Sequence, residues 1–535
     1  MRAVALLLIA LFAAAPATAA SRHAWTTPGV VRIGVVRDID NLNPLLSGQA
    51  GVTDLAQFLF SGLFRYDDRG EAIPDVATAI PTRANGGISA DGKTITYHLR
   101  RDVTFSDGHP LTADDVVFTW QQILNPKNNV PYHFPNDQAQ SVVAKDAYTV
   151  VARLREPSAP FVVEFMRCGN QGSILPKHLL AGQADLNRNP YNLKPVGSGP
   201  FMVERYEPGV GVEMLANPRY YAGKPKLDRI SYRIMPNENS LLIALQTHEI
   251  DFYFGAPEQQ YRPLRALDGI RVSALPFQQF EQIAFNTRRV PFNDLAVRRA
   301  ATYAIDWDGL ARTVYLDVDL PAPGDIFPKS WAFDPTLARY AHDVARARAL
   351  LESAGWKVGP DGIRMKDGTR LTADISTVNG VLVRQNAEVV IQQELREAGF
   401  EVQVRNAPAS LLFTSLQAGG ILASGKFDMA IYAWVKFPDP DDTETIGPDR
   451  VPPGGANYSG LRDPEIGRLQ LAGTRVYERA LRKPIYAKLE RRIAELLPYQ
   501  TMVWRANIDA YNEDLRNFKP APALSDFWNI AEWSI

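Results

Sequence analysis

Hydrophobic positions along the chain follow two patterns, one typical of strands and one typical of helices. β-Branched residues crowd the segment 30–36, which predicts a strand. Apolar residues recur at helical spacing between positions 54 and 64, which predicts a helix with one buried face. The same patterns predict further strands at 95–99, 201–206, 230–235, 283–286, 402–404 and 428–434, and further helices at 116–124, 343–354 and 386–398. Helices and strands that alternate over the second half indicate an α/β domain.

Polar and glycine residues mark the ends of several predicted helices. Thr112-Ala113-Asp114-Asp115 has the form of an acidic capping box before an apolar run. Asp343 stands where it can cap the start of another helix. Ala354-Gly355-Trp356 and Ala398-Gly399-Phe400 each place glycine where a left-handed residue ends a helix, with an aromatic residue after it. We interpret the two as one stop signal used twice.

One loop is rich in proline and aspartate. It runs Pro438-Asp439-Pro440-Asp441-Asp442 and continues with glycines and prolines to position 455. No periodic element fits that composition, so we predict a long surface loop or cleft rim. Its aspartates do not follow the order of a calcium-binding loop, which favours a solvated acidic loop.

The first twenty residues have the pattern of a secretory signal peptide. Arg2 precedes an apolar run at 3–15, and Ala17-Thr18-Ala19 provides small residues for cleavage. The run is short for a membrane span, and no later segment has about 18 uninterrupted apolar residues. No cysteine lies near the cleavage zone, which argues against a lipid anchor. We therefore expect a signal peptide over 1–20 and a mature protein in the bacterial periplasm.

Composition and charge narrow the function further. The chain has 535 residues, with 58 Lys and Arg against 59 Asp and Glu, and a formal net charge of -1. This length provides about three or four domains' worth of residues. A protein dedicated to nucleic acids usually has a basic excess, so we expect no nucleic-acid partner. Cys168 is the one cysteine, which excludes an intrachain disulfide and a thiolate metal cluster.

Common catalytic and metal-binding motifs are missing from the sequence. It contains no H-E-x-x-H, G-x-S-x-G or Walker A segment, and no G-x-G-x-x-G after a strand. The seven histidines are scattered, and none pairs with another at metal-ligand spacing. We therefore expect no cofactor and no metal. These observations leave two classes open, an exported binding protein and an exported hydrolase.

Short segments across nearly the whole mature chain carry residues in a recognisable order. They are Phe60-Ser61-Gly62-Leu63-Phe64, Asp91-Gly92-Lys93-Thr94, Val103-Thr104-Phe105-Ser106-Asp107-Gly108, Pro110-Leu111-Thr112-Ala113-Asp114-Asp115-Val116, Gly197-Ser198-Gly199-Pro200-Phe201, Asn217-Pro218-Arg219-Tyr220-Tyr221, Ala284-Phe285-Asn286-Thr287, Pro291-Phe292-Asn293-Asp294, and Trp434 with Pro438-Asp439-Pro440. Together they resemble the extracytoplasmic solute-binding proteins of bacterial ABC importers. The resemblance is to family 5, the large class that includes oligopeptide-, dipeptide-, nickel- and glutathione-binding proteins.

The resemblance implies a periplasmic-binding-protein fold of type II. Two α/β lobes are joined by two crossover strands, and an extra subdomain extends the first lobe. The implied boundaries are 28–65, 190–281 and 501–535 for the first lobe, 66–189 for the extra subdomain and 282–500 for the second lobe. The lobes would close over a ligand in the cleft between them. It also implies no enzymatic activity, a monomer, and delivery of the ligand to an ABC permease and ATPase at the inner membrane.

The resemblance also implies where the ligand binds. Ser47, Gly48, Gln49 and Ala50 would line one wall of the cleft, where backbone groups can pair with an extended ligand. Ala433, Trp434 and Val435 would line the opposite wall, although Trp434 could instead belong to the core. Asn286 and Arg384 are further candidates. Arg384 lies near the position at which dipeptide binders present an arginine to the ligand carboxylate, but it could equally be an exposed arginine at a helix start.

One position departs from the pattern of the peptide binders. Many of them have an aspartate three residues after the tryptophan, where it pairs with the amino terminus of the peptide. Phe437 stands at that position here. Asp439 and Asp441 follow closely and could replace it. We therefore expect a peptide or peptide-like ligand, with a sugar, an opine or a metal chelate as the alternative on the same fold, and a hydrolase as the less favoured one.

Overall fold

Two α/β lobes share one long mixed sheet in the computed structural model, which describes residues 22–169, 171–183, 185–522 and 525–535. The predicted signal peptide, 1–20, lies outside the described residues. The sheet has eleven strands in the order β17-β16-β18-β11-β19-β10-β1-β9-β8-β7, with β12 paired to β19. The strands are β1 (Val30–Val35), β2 (Phe64–Tyr66), β3 (Ala72–Pro74), β4 (Thr94–His98), β5 (Ala139–Asp146), β6 (Thr149–Leu154), β7 (Phe201–Glu207), β8 (Gly211–Ala216), β9 (Arg229–Ile234), β10 (Phe252–Tyr253), β11 (Ile270–Phe285), β12 (Leu320–Pro321), β13 (Lys357–Val358), β14 (Arg364–Lys366), β15 (Thr369–Arg370), β16 (Thr372–Ser376), β17 (Glu401–Val404), β18 (Met429–Val435) and β19 (Tyr499–Asn512).

Helices cover the sheet and build the extra subdomain. They are α1 (Ala50–Leu59), α2 (Ala113–Leu124), α3 (Phe161–Glu164), α4 (Lys177–Leu180), α5 (Glu238–Gln246), α6 (Tyr261–Arg265), α7 (Leu295–Ala304), α8 (Trp307–Thr313), α9 (Val344–Ser353), α10 (Leu382–Ala398), α11 (Ala409–Leu412), α12 (Ile421–Ser424), α13 (Thr443–Ile446), α14 (Pro464–Arg475) and α15 (Arg479–Leu496). In the part of the chain that the structure describes, no helix is long and apolar enough to cross a membrane.

The predicted capping and stop signals are confirmed. The amide of Thr112 donates to the carboxylate of Asp115 at 2.8 Å and completes the capping box. Asp343 accepts from the amide of Arg346 at 2.8 Å at the start of α9. Gly355 and Gly399 have φ of 90° and 100°, so both stop signals use the left-handed region that favours glycine. The helix predicted at 54–64 instead begins at Ala50 and ends at Leu59.

Two long strands connect the lobes. β11 pairs with β19 along most of its length, and its register shifts between Pro276 and Phe280. Before the shift both strands lie in the first lobe, where β19 also pairs with β10. After it, β11 pairs with β18 in the second lobe. The predicted fold class, two lobes joined by two crossover strands, is confirmed.

The hydrophobic cores divide along the same line. One cluster of buried residues includes Ile33 of the first lobe and Tyr97 and Val150 of the extra subdomain. The second lobe has separate clusters, of which one includes Phe280, Tyr432 and Trp504. Because the extra subdomain and the first lobe share a core, we treat them as one body.

Candidate functional site

One edge of β18 is open at its end. β18 pairs with β11 over its whole length, but with β16 only at Met429 and Ala430. The amide of Lys436 donates to the carbonyl of Gln278 on β11 at 2.7 Å. Backbone groups alternate in direction along an antiparallel strand, so those of Ala433 and Val435 point away from β11. No described strand pairs with β18 on that side at these two residues, which leaves an edge that an extended chain could join.

The side chain of Trp434 lies on the face of the sheet opposite to Ala433. Its indole stacks on the ring of Tyr458 at 6.0 Å and meets Tyr432 edge to face at 5.9 Å. It packs against the core of the second lobe while remaining partly exposed. Trp434 was predicted to line the cleft or to belong to the core. The structure is compatible with both, because one side of the indole packs against the core and another is accessible.

Arg384 is paired with a buried carboxylate. Its Nε and Nη2 donate to the two oxygens of Glu281 at 2.9 and 3.0 Å, and only 12% of its side chain is exposed. The interpretation as an exposed helix-start arginine is wrong, because Glu281 on β11 draws the guanidinium inward. Glu281 lies opposite Ala433 in the strand register, so this ion pair sits beside the open edge. A ligand carboxylate would have to use Nη1 or displace Glu281.

Further charges extend this ion pair into a cluster at the junction of the lobes. Arg505 donates to Glu281 at 2.8 Å and also to Glu258, and its Nε lies 3.0 Å from Asp319. Burial alone would raise the pKa of Glu281, but the charges and hydrogen bonds of the two arginines outweigh it and lower the pKa. Burial raises the pKa of Asp319 to about 8. These five residues, Glu258, Glu281, Asp319, Arg384 and Arg505, form the junction cluster.

The proline- and aspartate-rich loop is not the solvated surface loop that its composition predicts. Only 9% of the Asp439 side chain is exposed, and its two oxygens accept from Arg482 of α15, both at 2.7 Å. Asp442 is buried as well and accepts from Gln470 at 2.8 Å. A one-turn helix, α13, follows. The prediction failed because the charged and polar partners of the loop belong to later helices.

The remaining candidates at this rim have different surroundings. Asp441 accepts through Oδ1 from the amide and hydroxyl of Thr443 at 3.1 and 2.6 Å, and burial raises its pKa. Phe437 is 39% exposed, and the guanidinium of Arg167 lies 5.6 Å from its ring. Arg167 belongs to the extra subdomain, so Phe437 touches the opposite side of the cleft.

Arg167 is held by groups that the sequence did not single out. Its Nε donates to Glu164 at 2.8 Å, and Tyr66 donates to the other oxygen of Glu164 at 2.5 Å. All three side chains are buried. Glu164 and Arg167 lie three positions apart, but α3 ends at Glu164, so their pairing does not follow from helical spacing. The approach of Phe437 to this group has no local signal, because it depends on how the lobes meet.

The segment that leads into α1 exposes three of its four candidate residues to solvent. Gly48, Gln49 and Ala50 are exposed, whereas Ser47 is buried and donates to Asp40 at 2.7 Å. A Cβ on Gly48 would lie 3.3 Å from the ring of Tyr132, so this wall of the cleft also involves the extra subdomain.

Asn286 is fully buried at the end of β11. Its amide nitrogen donates to the carbonyls of Gly425 and Phe427, both at 2.9 Å. It fixes a turn inside the second lobe, so we leave it out of the ligand surface proposed below. Among the described residues, no group of three or more His, Cys, Asp or Glu side chains is placed to hold a metal ion.

Comparisons with known proteins agree with this architecture. The family model of the bacterial extracellular solute-binding proteins, family 5 Middle, matches residues 71–447. The oligopeptide-binding protein AppA from Bacillus subtilis (strain 168) is 28% identical over 516 residues, which cover 94% of this chain and 91% of that protein. Di/tripeptide-binding protein 2 from Pseudomonas aeruginosa (strain UCBPP-PA14) is 28% identical over 486 residues, which cover 85% of this chain and 87% of that protein.

Solved structures match over almost the whole chain. AppA from Bacillus subtilis in complex with a nonapeptide is 27% identical, with a TM-score of 0.78 over 95% of this chain and 99% of that one. NikZ from Campylobacter jejuni in complex with Ni(L-His) is 25% identical, with a TM-score of 0.79 over 95% of this chain and 100% of that one. The matched family model covers well over half of the chain. The protein therefore belongs to family 5 of the bacterial extracellular solute-binding proteins.

Proposed function

We propose that this protein captures peptides or peptide-like solutes between its lobes and delivers them to an ABC permease and its ATPase. The observation that carries the proposal is the open edge of β18 at Ala433 and Val435. A peptide backbone can bond to such an edge whatever its side chains are, whereas a sugar or a metal chelate has no repeating amide to match it. The named relatives that bind a nonapeptide and di- or tripeptides support the same ligand class.

The setting that we propose follows from the same family membership. Residues 1–20 would be removed on export, and the mature chain would act as a periplasmic monomer. The lobe boundaries at 281/282 and 500/501 stay a prediction. The register shift between Pro276 and Phe280 supports a hinge a few residues before the boundary at 281/282. Members of the family bind solutes, and we propose no reaction for this chain.

The ligand itself provides the most direct test. Gently purified protein should release peptides on acid treatment, and mass spectrometry should identify them. Synthetic copies should then bind by calorimetry with one peptide per protein molecule. Recovery of a metal chelate, a sugar or an opine instead, with no binding of peptides, would contradict the proposal and favour the alternative that the NikZ complex represents.

Val435→Pro tests the open edge. We expect the affinity for the recovered peptide to fall by at least about tenfold, because the substitution removes a backbone donor and places a ring in the ligand's path. Folding should be retained, since proline is tolerated at an edge position whose amide has no internal partner. Calorimetry measures the affinity, and thermal unfolding followed by circular dichroism measures the stability.

Val435→Ala is the matched control for that substitution. It removes the half-exposed side chain but keeps the backbone donor, so the affinity should change by no more than about threefold. Equal losses in the two variants would indicate that the ligand contacts the side chain of Val435 and not the strand edge.

The amino terminus of the ligand should contribute little to the affinity. Asp439 is paired with Arg482, and Asp441 accepts from Thr443 through Oδ1 while burial raises its pKa, so neither is well suited to pair with an ammonium at the place where Phe437 stands. A buried ammonium without a carboxylate is costly, so the ligand's amino group should lie in water or be blocked. We expect N-acetylation of the recovered peptide to change its affinity by less than about threefold in calorimetry.

A large effect of acetylation would contradict that expectation. If acetylation weakens binding by about a hundredfold, and Asp441→Asn or Asp439→Asn removes the difference, one of these carboxylates pairs with the ligand after all. In that case either Arg482 releases Asp439 when the ligand binds, or the ligand reaches Oδ2 of Asp441, to which Thr443 does not donate.

A further inference from the structure

The second lobe reaches across to the extra subdomain through the connection between α14 and α15. This connection and its flanking residues, 474–479, form what we call the linker. Its central residue, Tyr477, packs against the hydrophobic core shared by the first lobe and the extra subdomain. The two helices that flank the linker belong to the core of the second lobe, for example through Leu469 and Tyr486. One aromatic side chain of the second lobe therefore packs into the body formed by the first lobe and the extra subdomain. We call the place where it packs the seat.

Hydrogen bonds hold Tyr477 in that seat. Its hydroxyl donates to the carbonyl of Gly92 at 2.6 Å and accepts from the amide of Ser158 at 3.2 Å. The amide of Ala159 donates to the carbonyl of Thr474 at 2.7 Å. The hydroxyl is used both as a donor and as an acceptor. Phenylalanine has no hydroxyl and could not make either hydrogen bond.

The turn at Gly92 forms one wall of the seat. Gly92 has φ of 71°, and a Cβ there would lie 3.0 Å from the ring of Tyr477. The guanidinium of Arg83 lies 5.7 Å from the same ring. The backbone of the extra subdomain is thus shaped closely around a side chain that comes from the other lobe.

Charged pairs surround the aromatic contact. Arg479 of the second lobe pairs with Glu71 at 2.7 Å, and Arg475 lies 3.4 Å from Glu156. All four side chains are largely exposed, so these pairs contribute little energy. They align the two surfaces as the lobes approach.

The position of the hinge decides what happens to this contact. The lobes are joined through β11 and β19, and the extra subdomain shares its core with the first lobe. The linker belongs to the second lobe. Rotation about the register shift between Pro276 and Phe280 would therefore separate Tyr477 from Gly92, together with Phe437 from Arg167.

We propose that Tyr477 in its seat of Gly92, Ser158 and Ala159 is a closure latch. It is a positioning residue, because it raises ligand affinity by stabilising the closed arrangement of the lobes without touching the ligand. The apparent dissociation constant of a ligand that binds the closed state is the intrinsic constant divided by the closed fraction. A latch should therefore raise the affinity for every ligand by the same factor. The effect on affinity rests on the proposed function, whereas the stabilisation of the closed arrangement does not.

Distances between the lobes test the latch without any ligand. Spin labels at Lys145→Cys in the extra subdomain and Lys488→Cys in the second lobe would report the separation by pulsed electron resonance. Both positions are exposed, and the native Cys168 is buried, so it stays unlabelled. In the full mature protein, freed of ligand, we expect Tyr477→Ala to shift the distance distribution towards longer values. Tyr477→Phe should give a smaller shift in the same direction, because it keeps the ring and loses the hydrogen bonds.

Binding provides the second measurement. With the peptides that copurify with the protein as probes, Tyr477→Ala should weaken each of them by about tenfold, through faster dissociation. Tyr340→Phe is the matched control, since that hydroxyl donates to the carbonyl of Ala494 within the second lobe at 3.0 Å. It should change neither the distances nor the affinities.

Two results would overturn the inference. One is an unchanged distance distribution in both Tyr477 variants, which would mean that the contact persists in the open state or does not form. The other is an affinity loss that differs from peptide to peptide, which would mean that Tyr477 contacts the ligand. If Tyr477→Ala fails to fold, the comparison of Tyr477→Phe with Tyr340→Phe decides the same question. If no peptide binds the wild type, the proposed function fails while the distance result still stands.

Discussion

Glu281→Ala is expected to lower the free energy of unfolding by about 3–5 kcal/mol. Glu281 is fully buried, and its carboxylate is the shared partner of Arg384 and Arg505. Without it, Arg384 loses the carboxylate to which its guanidinium donates, and Arg505 keeps only Glu258 and Asp319 as partners. Urea unfolding followed by circular dichroism measures the effect, and the loss should appear as a lower midpoint with little change in slope.

Two comparisons make the result interpretable. Glu465 pairs with Arg468 on the surface at 2.5 Å, so Glu465→Ala removes a carboxylate of the same type where water can replace it. Its effect should stay below about 1 kcal/mol. Glu281→Gln keeps the volume and one acceptor and should fall between the two. A Glu281→Ala effect no larger than that of Glu465→Ala would mean that the junction cluster does not stabilise the protein.

The contrast between β18 and β11 shows which parts of the fold could be predicted from the sequence. The strand at 428–434 and the caps at Thr112 and Asp343 were predicted because their signals are local. β11 was predicted only at its apolar end, 283–286, although it spans 16 residues. Its centre reads Gln278-Gln279-Phe280-Glu281-Gln282, which has no hydrophobic alternation. Those polar residues are inside because β18 and β19 enclose them, and strand pairing is not visible in one segment.

The candidate site shows the same limit in another form. Ala433, Trp434 and Val435 could be assigned to the cleft by resemblance, but the open edge beside them depends on where β16 stops pairing. The partners of the charged candidates are far away in sequence. Arg505 lies 224 positions from Glu281, Arg384 lies 103 positions from it, and Arg482 lies 43 positions from Asp439. From its composition, the aspartate-rich loop was predicted to be solvated. The arginine that pairs with Asp439 approaches it only in the folded chain.

Trp434→Ala is expected to weaken binding of the recovered peptide by about 2–4 kcal/mol, measured by calorimetry. The indole flanks the open edge and is held rigidly by Tyr458 and Tyr432, so a ligand gains a large apolar contact at little entropic cost. Some stability should be lost too, because one side of the ring packs against the core. That loss should be smaller than the one caused by Trp504→Ala, whose indole is fully buried.

The variants around this tryptophan separate its two surfaces. Trp434→Phe keeps an aromatic ring against Tyr458 and should retain most of the stability while losing part of the affinity. Trp504→Ala should lower the melting temperature strongly, yet leave the affinity of the folded fraction close to that of the wild type. If Trp434→Ala destabilises the protein as much as Trp504→Ala and leaves the affinity unchanged, the indole serves the core alone. The ligand must then approach β18 from the face of Ala433, where Arg384 and Glu281 line the sheet.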